Sequence, residues 1–344
     1  MSRLKTLALQ MLMLPGAEAL FSPFARGRGV VFMLHRFRSP ENPDEGYDAT
    51  SIRRALAHLR RAKYRLLSIE ELLRHALEEG RVPDRSVAFT IDDGYLDHAT
   101  VAAPLFAEFD CPVTTFVTTG FLDRQLWFWW DRIAYAFSNT RRREVQVSLA
   151  DRILEYRWQS TGERAVAQGE FTERCKEVPD EAKHAGIAHL AAALEVDLPK
   201  EPPPRYAPMS WSQLRECERL GMTFGPHTVT HPVLSRVSDQ SSRWELATSW
   251  ERLQAEATAP MPVFCYPNGR PSDFSAREMN TLQQLGFLGA VVGWDGFVSA
   301  RSARCDAHAR FGVRRFPYPD DLPHLVQFVS GVECAKAMLR GEVA

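Results

Sequence analysis

The chain has 344 residues, 45% of them apolar and 25% charged, which suits a soluble globular protein with one elaborated domain or two smaller ones. Its 42 Lys and Arg against 43 Asp and Glu leave a net charge of −1, so no long-range positive field draws in nucleic acid and a nucleic-acid role is disfavoured. The six cysteines fall at irregular intervals without a C-x-x-C pair, which argues against a zinc ribbon or redox motif and suits a reducing compartment.

At the N-terminus, Arg3 and Lys5 precede a short apolar run, Thr6–Leu14, and Ala17-Glu18-Ala19 imitates a cleavage site. The run is too short to cross a bilayer and contains Gln10, while Leu4, Leu7, Leu12 and Leu14 mix with polar positions as in an amphipathic helix. The expectation over 1–29 is therefore a retained helix and linker, docked on the domain or lying on a membrane surface. Location would be cytoplasmic, peripheral to the inner membrane; the alternative is periplasmic after signal cleavage.

Val30–Leu34 reads as a buried strand ending at His35. Ser51–Lys63 has Ile52, Leu56 and Leu59 at helical spacing, Tyr64–Ser68 reads as a short strand, and Ile69–Glu79 as a helix stopped by Gly80. Ser86–Ile91 is a strand running into Asp92-Asp93-Gly94, followed by a helix near Ala99–Phe109 and the β-branched strand Pro112–Thr118. This alternation predicts parallel strands covered by helices, an α/β barrel or doubly wound sheet over 30–120.

From 121 to 208 the chain turns polar and helix-like, opening on Trp127-Phe128-Trp129-Trp130 and closing at Pro202-Pro203-Pro204, which predicts a helical insertion. The aromatic cluster could pack the insertion onto the barrel, stack on sugar rings or anchor at a membrane interface. The alternation resumes over 209–330, with a helix at Ser210–Leu220 and strands at Met222–Gly225, Val263–Tyr266 and Gly289–Val292. Helices are expected near Ser275–Leu285 and Leu322–Ser330, ahead of a polar tail over 331–344.

Two motifs carry chemistry. A strand ending in Asp92 and Asp93 places two carboxylates at the C-terminal rim of a parallel sheet, where α/β active sites form. Gly94 permits the sharp turn, although a helix-capping Asp would look similar. His227 and His231 are four apart, a spacing that can chelate a divalent ion if the segment is helical. With Asp93 they make a two-His, one-carboxylate set, which can bring a bound water to a pKa of about 7.

These motifs, with Tyr266-Pro267-Asn268-Gly269 and the run from Trp211 through Gly221 to His227, resemble the polysaccharide deacetylases of carbohydrate esterase family four. The resemblance spans about 30–329, with 121–208 outside it. It implies a distorted (β/α) barrel. Asp92 would be the general base; Asp93, His227 and His231 would hold one divalent ion, zinc or else cobalt, nickel or iron. The backbone N–H at Asn268, with Tyr266 and Pro267 beside it, would face the oxyanion and substrate.

Two departures stand out. Cys265 occupies the place of an arginine that often orients the base, and Arg314 or Arg315 could substitute for it. No Leu-x-His segment near the C-terminus supplies the general acid, but Val31-Phe32-Met33-Leu34-His35 has that pattern at the front, as in a circularly permuted member, so His35 is the expected acid. His308 and His324 are fallbacks, His98 a candidate for supporting the site, and Asp295 a turn former. His58, His75, His184 and His189 are expected at the surface.

The resemblance implies removal of an N-acetyl or other small N-acyl group from an amino sugar of a polysaccharide or lipid-linked glycan. The competing class is an inactive scaffold that binds glycan or a biosynthetic partner, and a third possibility is hydrolysis of a non-sugar acyl amide or ester.

Overall fold

Strands covered on both faces need near-continuous apolar runs, and the runs that begin at Val30 and Val87 have that character. In the computed structural model, which describes residues 9–14 and 16–341, they become β1 (Arg28–Leu34) and β3 (Ser86–Asp93). The two run parallel in register from Gly29↔Ser86 to Leu34↔Ile91. The short β2 (Arg65–Leu66) pairs with the start of β3, β4 (Val113–Val117) with the rest of it, and β7 (Met222–Pro226) with β4, all in parallel.

Beyond β7 the circuit continues through single bonds. Met261 N–H donates to the Phe224 carbonyl (2.8 Å), leading into β8 (Val263–Cys265), which pairs in parallel with β9 (Gly289–Val291). Val313 exchanges backbone bonds with Ala290 and Val292 (2.9 Å each), and β11 (Phe316–Pro317) returns beside β1. The ring closes as the expected distorted barrel. A two-residue strand, β10 (Val298–Ser299), pairs antiparallel with the start of β1.

Strand alternation sorts the side chains. Val31, Ala88, Phe116, Val263, Val291 and Val313 share one buried cluster. Phe32, Phe89 and Phe224 point the other way, into helices Ala49–Arg61, Trp211–Arg219 and Leu322–Val329. Ile52, Leu56 and Leu59 are fully buried there, each contributing about 1.5–3 kcal/mol of transfer free energy. Asp48, Ser68, Ser210 and Ser275 cap the helices that follow them, accepting backbone N–H bonds that would otherwise lack partners.

The segment 121–208 builds a core of its own around Trp129, Ile133, Phe137, Phe171 and Leu190. Its helices are Trp129–Asn139, Thr161–Lys176 and Asp180–Ala193. It also contains a hairpin, β5 (Glu144–Leu149) and β6 (Arg152–Arg157), absent from the helical reading. Val145, Val147 and Leu149 face inward at period two, a strand signal that the polar surroundings obscured.

Three further differences concern helices. Asp239–Glu256 forms an 18-residue helix that was not predicted. The expected polar tail holds the helix Val332–Leu339, with Cys334 buried, and its leading Gly331 (φ 100°) lies so close to the Phe21 carbonyl that a Cβ would sit 2.4 Å away. The helix predicted after the Asp-Asp-Gly turn begins as a π-helical turn, His98–Ala102, before Ala103–Ala107. Of the expected N-terminal helix, residues 1–8 and 15 lie outside the described ones. Residues 9–12 are helical and dock through Leu9 and Leu12 on Val326. No described helix is long and apolar enough to cross a membrane.

Candidate active site

Asp92 and Asp93 end β3 at the barrel rim, both buried. A regular strand would send their side chains to opposite faces, but Asp93 has φ 93° and Gly94 φ 98°, which breaks the alternation. Arg315, only 1% exposed, answers the arginine question. Its guanidinium donates 2.7 Å bonds to each oxygen of Asp92, a third to Thr90 Oγ1 (3.0 Å), and from Nε to the Val292 carbonyl (3.0 Å). Burial alone would raise the Asp92 carboxyl, but the charge and hydrogen bonds of Arg315 pull it well below the usual carboxylate range. Asp92 is therefore held ionised and oriented. Arg314 points away from it and is exposed, so that candidate falls: neighbouring residues of an extended segment face opposite sides.

Cys265, at the place of the family's arginine, leaves the space that Arg315 fills, with its Sγ 3.2 Å from the guanidinium. Its carbonyl accepts a bond from His227 Nδ1 (2.7 Å). A carbonyl can only accept, so Nδ1 carries the proton and Nε2 presents a lone pair.

The His-Thr-Val-Thr-His segment is not helical, contrary to the chelation argument from its spacing. It is a loop after β7 in which Thr228 (φ 67°) and His231 (φ 59°) both take the left-handed conformation. For a β-branched threonine this is a strained backbone, of the kind that collects at functional sites. The loop brings the two Nε2 atoms to 3.1 Å from each other, and to 3.8 and 3.7 Å from Asp93 Oδ1.

Ligands about 2.05 Å from a tetrahedral centre are about 3.3 Å apart, so these three edges fit one small divalent ion. The electrostatics agree. Burial, then Asp92 and Asp131, push the Asp93 carboxyl well above its ordinary range, a penalty a cation would relieve. Burial lowers His227 to about 4, and burial with His227 lowers His231 well below the ordinary imidazole value, so both rings are neutral ligands at neutral pH. Asp92, His227 and Cys265 also converge, but Arg315 occupies both Asp92 oxygens and burial keeps the Cys265 thiol protonated. That second set is the poorer cation site.

His35 follows β1 at the same rim, with Nε2 3.9 Å from Asp92 Oδ2 and 48% of its side chain exposed. Its surroundings lower its pKa through desolvation, against the pull of Asp92. His98 is buried behind it and bonds to the His35 carbonyl, a supporting position. Among the described residues, Asn268 (φ 56°) has neither a partner for its backbone N–H nor one for its buried amide nitrogen. Tyr266 is not a substrate contact through its side chain: the ring is buried and stacked on Phe274 at 3.8 Å. Pro267 is buried too, its carbonyl accepting the Gly269 N–H.

The remaining candidates lie outside the cluster. His308 bonds to Asn280 and His324 to Asp321, and Asp295 is exposed in irregular chain just after the Gly293-Trp294 bend. His58 is not a free surface residue but is largely buried against Glu18 (2.8 Å).

Sequence reasoning missed the shell behind these groups. The insertion supplies Trp130, whose ring lies 4.6 Å from that of His231 and stacks on Phe128 at 4.3 Å. Its indole N–H donates to Tyr95 Oη (3.1 Å), which donates to the buried Asp131 (2.7 Å), while the Arg36 guanidinium covers the Tyr95 ring and donates to Asp97. Trp127 and Trp129 are buried, so packing accounts for most of the aromatic cluster. Glu245, on the unpredicted helix, accepts bonds from Val229 and Thr230 in the histidine loop.

The barrel rim joins a fixed, ionised carboxylate to a carboxylate and two neutral imidazoles, a set that suits metal-assisted hydrolysis. The chain belongs to the polysaccharide deacetylase family, whose model matches residues 79–289, and is a hydrolase acting on carbon–nitrogen bonds other than peptide bonds. No curated protein matches it by sequence. Among solved structures it is similar to the deacetylase PplD of Streptococcus pyogenes in complex with acetate (18% identity, 88% of this chain and 98% of that one, TM-score 0.56). IcaB of Ammonifex degensii is comparable (16%, 88% and 97%, 0.56), as is a polysaccharide deacetylase from Bacillus cereus (12%, 88% and 69%, 0.53). At these identities the likeness is one of fold.

Proposed function

We propose that the chain removes a small N-acyl group, acetyl first of all, from an amino sugar of a polysaccharide or lipid-linked glycan, with one divalent ion held by Asp93, His227 and His231. The observation that carries this reading is the pairing of Arg315-fixed Asp92 with that convergent ligand set. Zinc suits two imidazoles and a carboxylate best; cobalt, nickel and iron also fit them. A divalent ion there would polarise the acyl carbonyl and lower the pKa of a water to about 7.

The side chains divide the rest of the work. Asp92, ionised and held by two hydrogen bonds, takes the proton of the attacking water. The free N–H of Asn268 donates to the oxygen that gains charge as the carbonyl carbon becomes tetrahedral. His35, at the open side of the site, gives a proton to the departing nitrogen, so the amide and water become a carboxylate and an amine. The position of His35 just after the first strand supports the reading of a permuted order. PplD's acetate complex supports acetyl as the acyl group.

The inactive-scaffold reading drew on the missing arginine, and Arg315 removes that ground. We infer from the N-terminal sequence that the protein is cytoplasmic and peripheral to the inner membrane; recovery from the periplasm without its first residues would refute this and favour the periplasmic alternative.

The test pairs metal analysis with acetate release from N-acetylglucosamine oligomers. Wild type should bind about one equivalent of zinc or cobalt, and His227→Ala/His231→Ala should lose both metal and acetate release. A wild type that takes up no divalent ion refutes the mechanism. Activity on an aryl acetate but on no amino sugar refutes the substrate class.

A further inference from the structure

We propose that the two terminal segments of the chain together form a docking surface for an anionic lipid bilayer. This deepens the peripheral-membrane reading and is independent of the catalytic one. Among the described residues, eleven large hydrophobic side chains are exposed, and seven of them lie in these segments: Met11, Met13, Leu14, Leu20, Phe24, Met338 and Leu339. Leu339 is 89% exposed. Such concentration is not the scatter of a solvated surface.

The segments are one unit. Leu9 and Leu12 pack on Val326, while Met11 and Leu14 beside them are exposed. Gly331 packs against Phe21 and Ala25, joining the last helix to the residues that carry Leu20 and Phe24.

Charge selects the occupant. The acids of the patch are engaged: Glu18 by His58 and Tyr64, Glu333 by Lys336 and Gln327. Arg26, Arg301 and Arg314 are exposed, and the last two line, with Arg28, an adjoining cleft of about 760 Å³, whose acids are Asp295, Asp306 and Glu333. Apolar side chains with a basic surround are the pattern of an interfacial anchor. Here lies a second role for Arg314, left over from the active site.

The test uses the full chain and sedimentation with vesicles of phosphatidylglycerol and phosphatidylethanolamine, against pure phosphatidylcholine. Binding to the anionic vesicles is expected, weakened by 0.5 M salt and lowered at least tenfold in Phe24→Asp/Leu339→Asp. That variant should keep wild-type acetate release from a soluble oligomer, whatever the fate of the catalytic reading. No binding, equal binding by the variant, or a dimer in solution that the variant abolishes would overturn the proposal; the dimer would mean that a second copy covers the patch.

A separate observation carries a second inference: we infer that Glu245 is a positioning residue for the ligand loop, which rests on the metal reading above. One carboxylate oxygen accepts from Val229 N–H (2.7 Å) and Thr230 N–H (3.0 Å), and the other from the Thr230 hydroxyl. It thus holds the strained turn between the two histidines from outside. Glu245→Ala should weaken zinc binding about 10- to 100-fold, read by competition with a chromophoric chelator, and Glu245→Gln should restore most of it. Folded Glu245→Ala with wild-type affinity, or Glu245→Gln that binds zinc no better than Glu245→Ala, overturns the inference. A wild type that binds no zinc refutes the metal reading instead.

Discussion

Arg315→Met tests the core of the site. Arg315 and Asp92 are both buried and share two 2.7 Å bonds, so the substitution strands a carboxylate beside Asp93. Removing one partner of such a pair costs about 3–5 kcal/mol. At roughly 2 °C per kcal/mol for a chain of this size, Tm should fall by about 6–10 °C. The pH dependence follows from the sign of the shift. In wild type the Asp92 pKa is depressed, so its stability contribution is present above the unfolded value of about 3.9 and is lost only as pH falls below it. Without Arg315, burial dominates and raises the pKa; the proton stays on at higher pH and the base is lost. Acetate release should drop about 10²–10⁴-fold, and the acid limb of kcat/KM should move up in pH. Asp92→Asn/Arg315→Met, which removes both charges, should regain most of the Tm but none of the activity. An Arg315→Met enzyme with the wild-type pH profile would refute the assignment of Asp92 as the base.

Three other substitutions probe the shell. His35→Ala should lower kcat about 10²–10⁴-fold while leaving bound metal unchanged; near-wild-type turnover with metal intact removes His35 as the acid. Trp130→Ala removes the ring packed on His231 and should weaken both metal retention and KM for oligomers, measured by chelator competition and steady-state kinetics. Asp131 is buried and its pKa is pushed up to about 7, chiefly by desolvation. An acid raised in the folded state contributes stability below its unfolded value of about 3.9 that is lost as pH rises toward 7. Asp131→Asn should therefore flatten the decline of Tm between pH 4 and 8; an unchanged decline would show that another group causes it.

The legible parts of the fold were those whose side chains serve one purpose. Val30–Leu34 and Val113–Val117 are buried on both faces and read directly as strands. The helix Asp239–Glu256 did not read at all, because Ser242, Glu245 and Ser249 sit on its buried face with only Leu246 and Leu253. Apolar periodicity cannot report a face whose task is to hydrogen-bond a loop and a neighbouring helix, as Glu245 does to the histidine turn and Ser242 to Glu278.

The site shows the same division. Asp92, Asp93 and the histidine pair were visible as motifs, yet the reason given for the pair was wrong: a helix would bring i and i+4 together by repetition, whereas here two left-handed residues do it by strain. Strain of that kind persists only when surrounding contacts over-determine it. The contacts come from three places remote in sequence: Glu245 on the loop, Trp130 from the insertion, and Cys265 through its carbonyl on His227. Arg315 follows the same logic, reaching Asp92 across 223 residues of chain. Only the closed barrel decides between it and Arg314, by turning one inward and the other out. The reactive groups could thus be named from local motifs, while what makes them reactive is assembled by the fold.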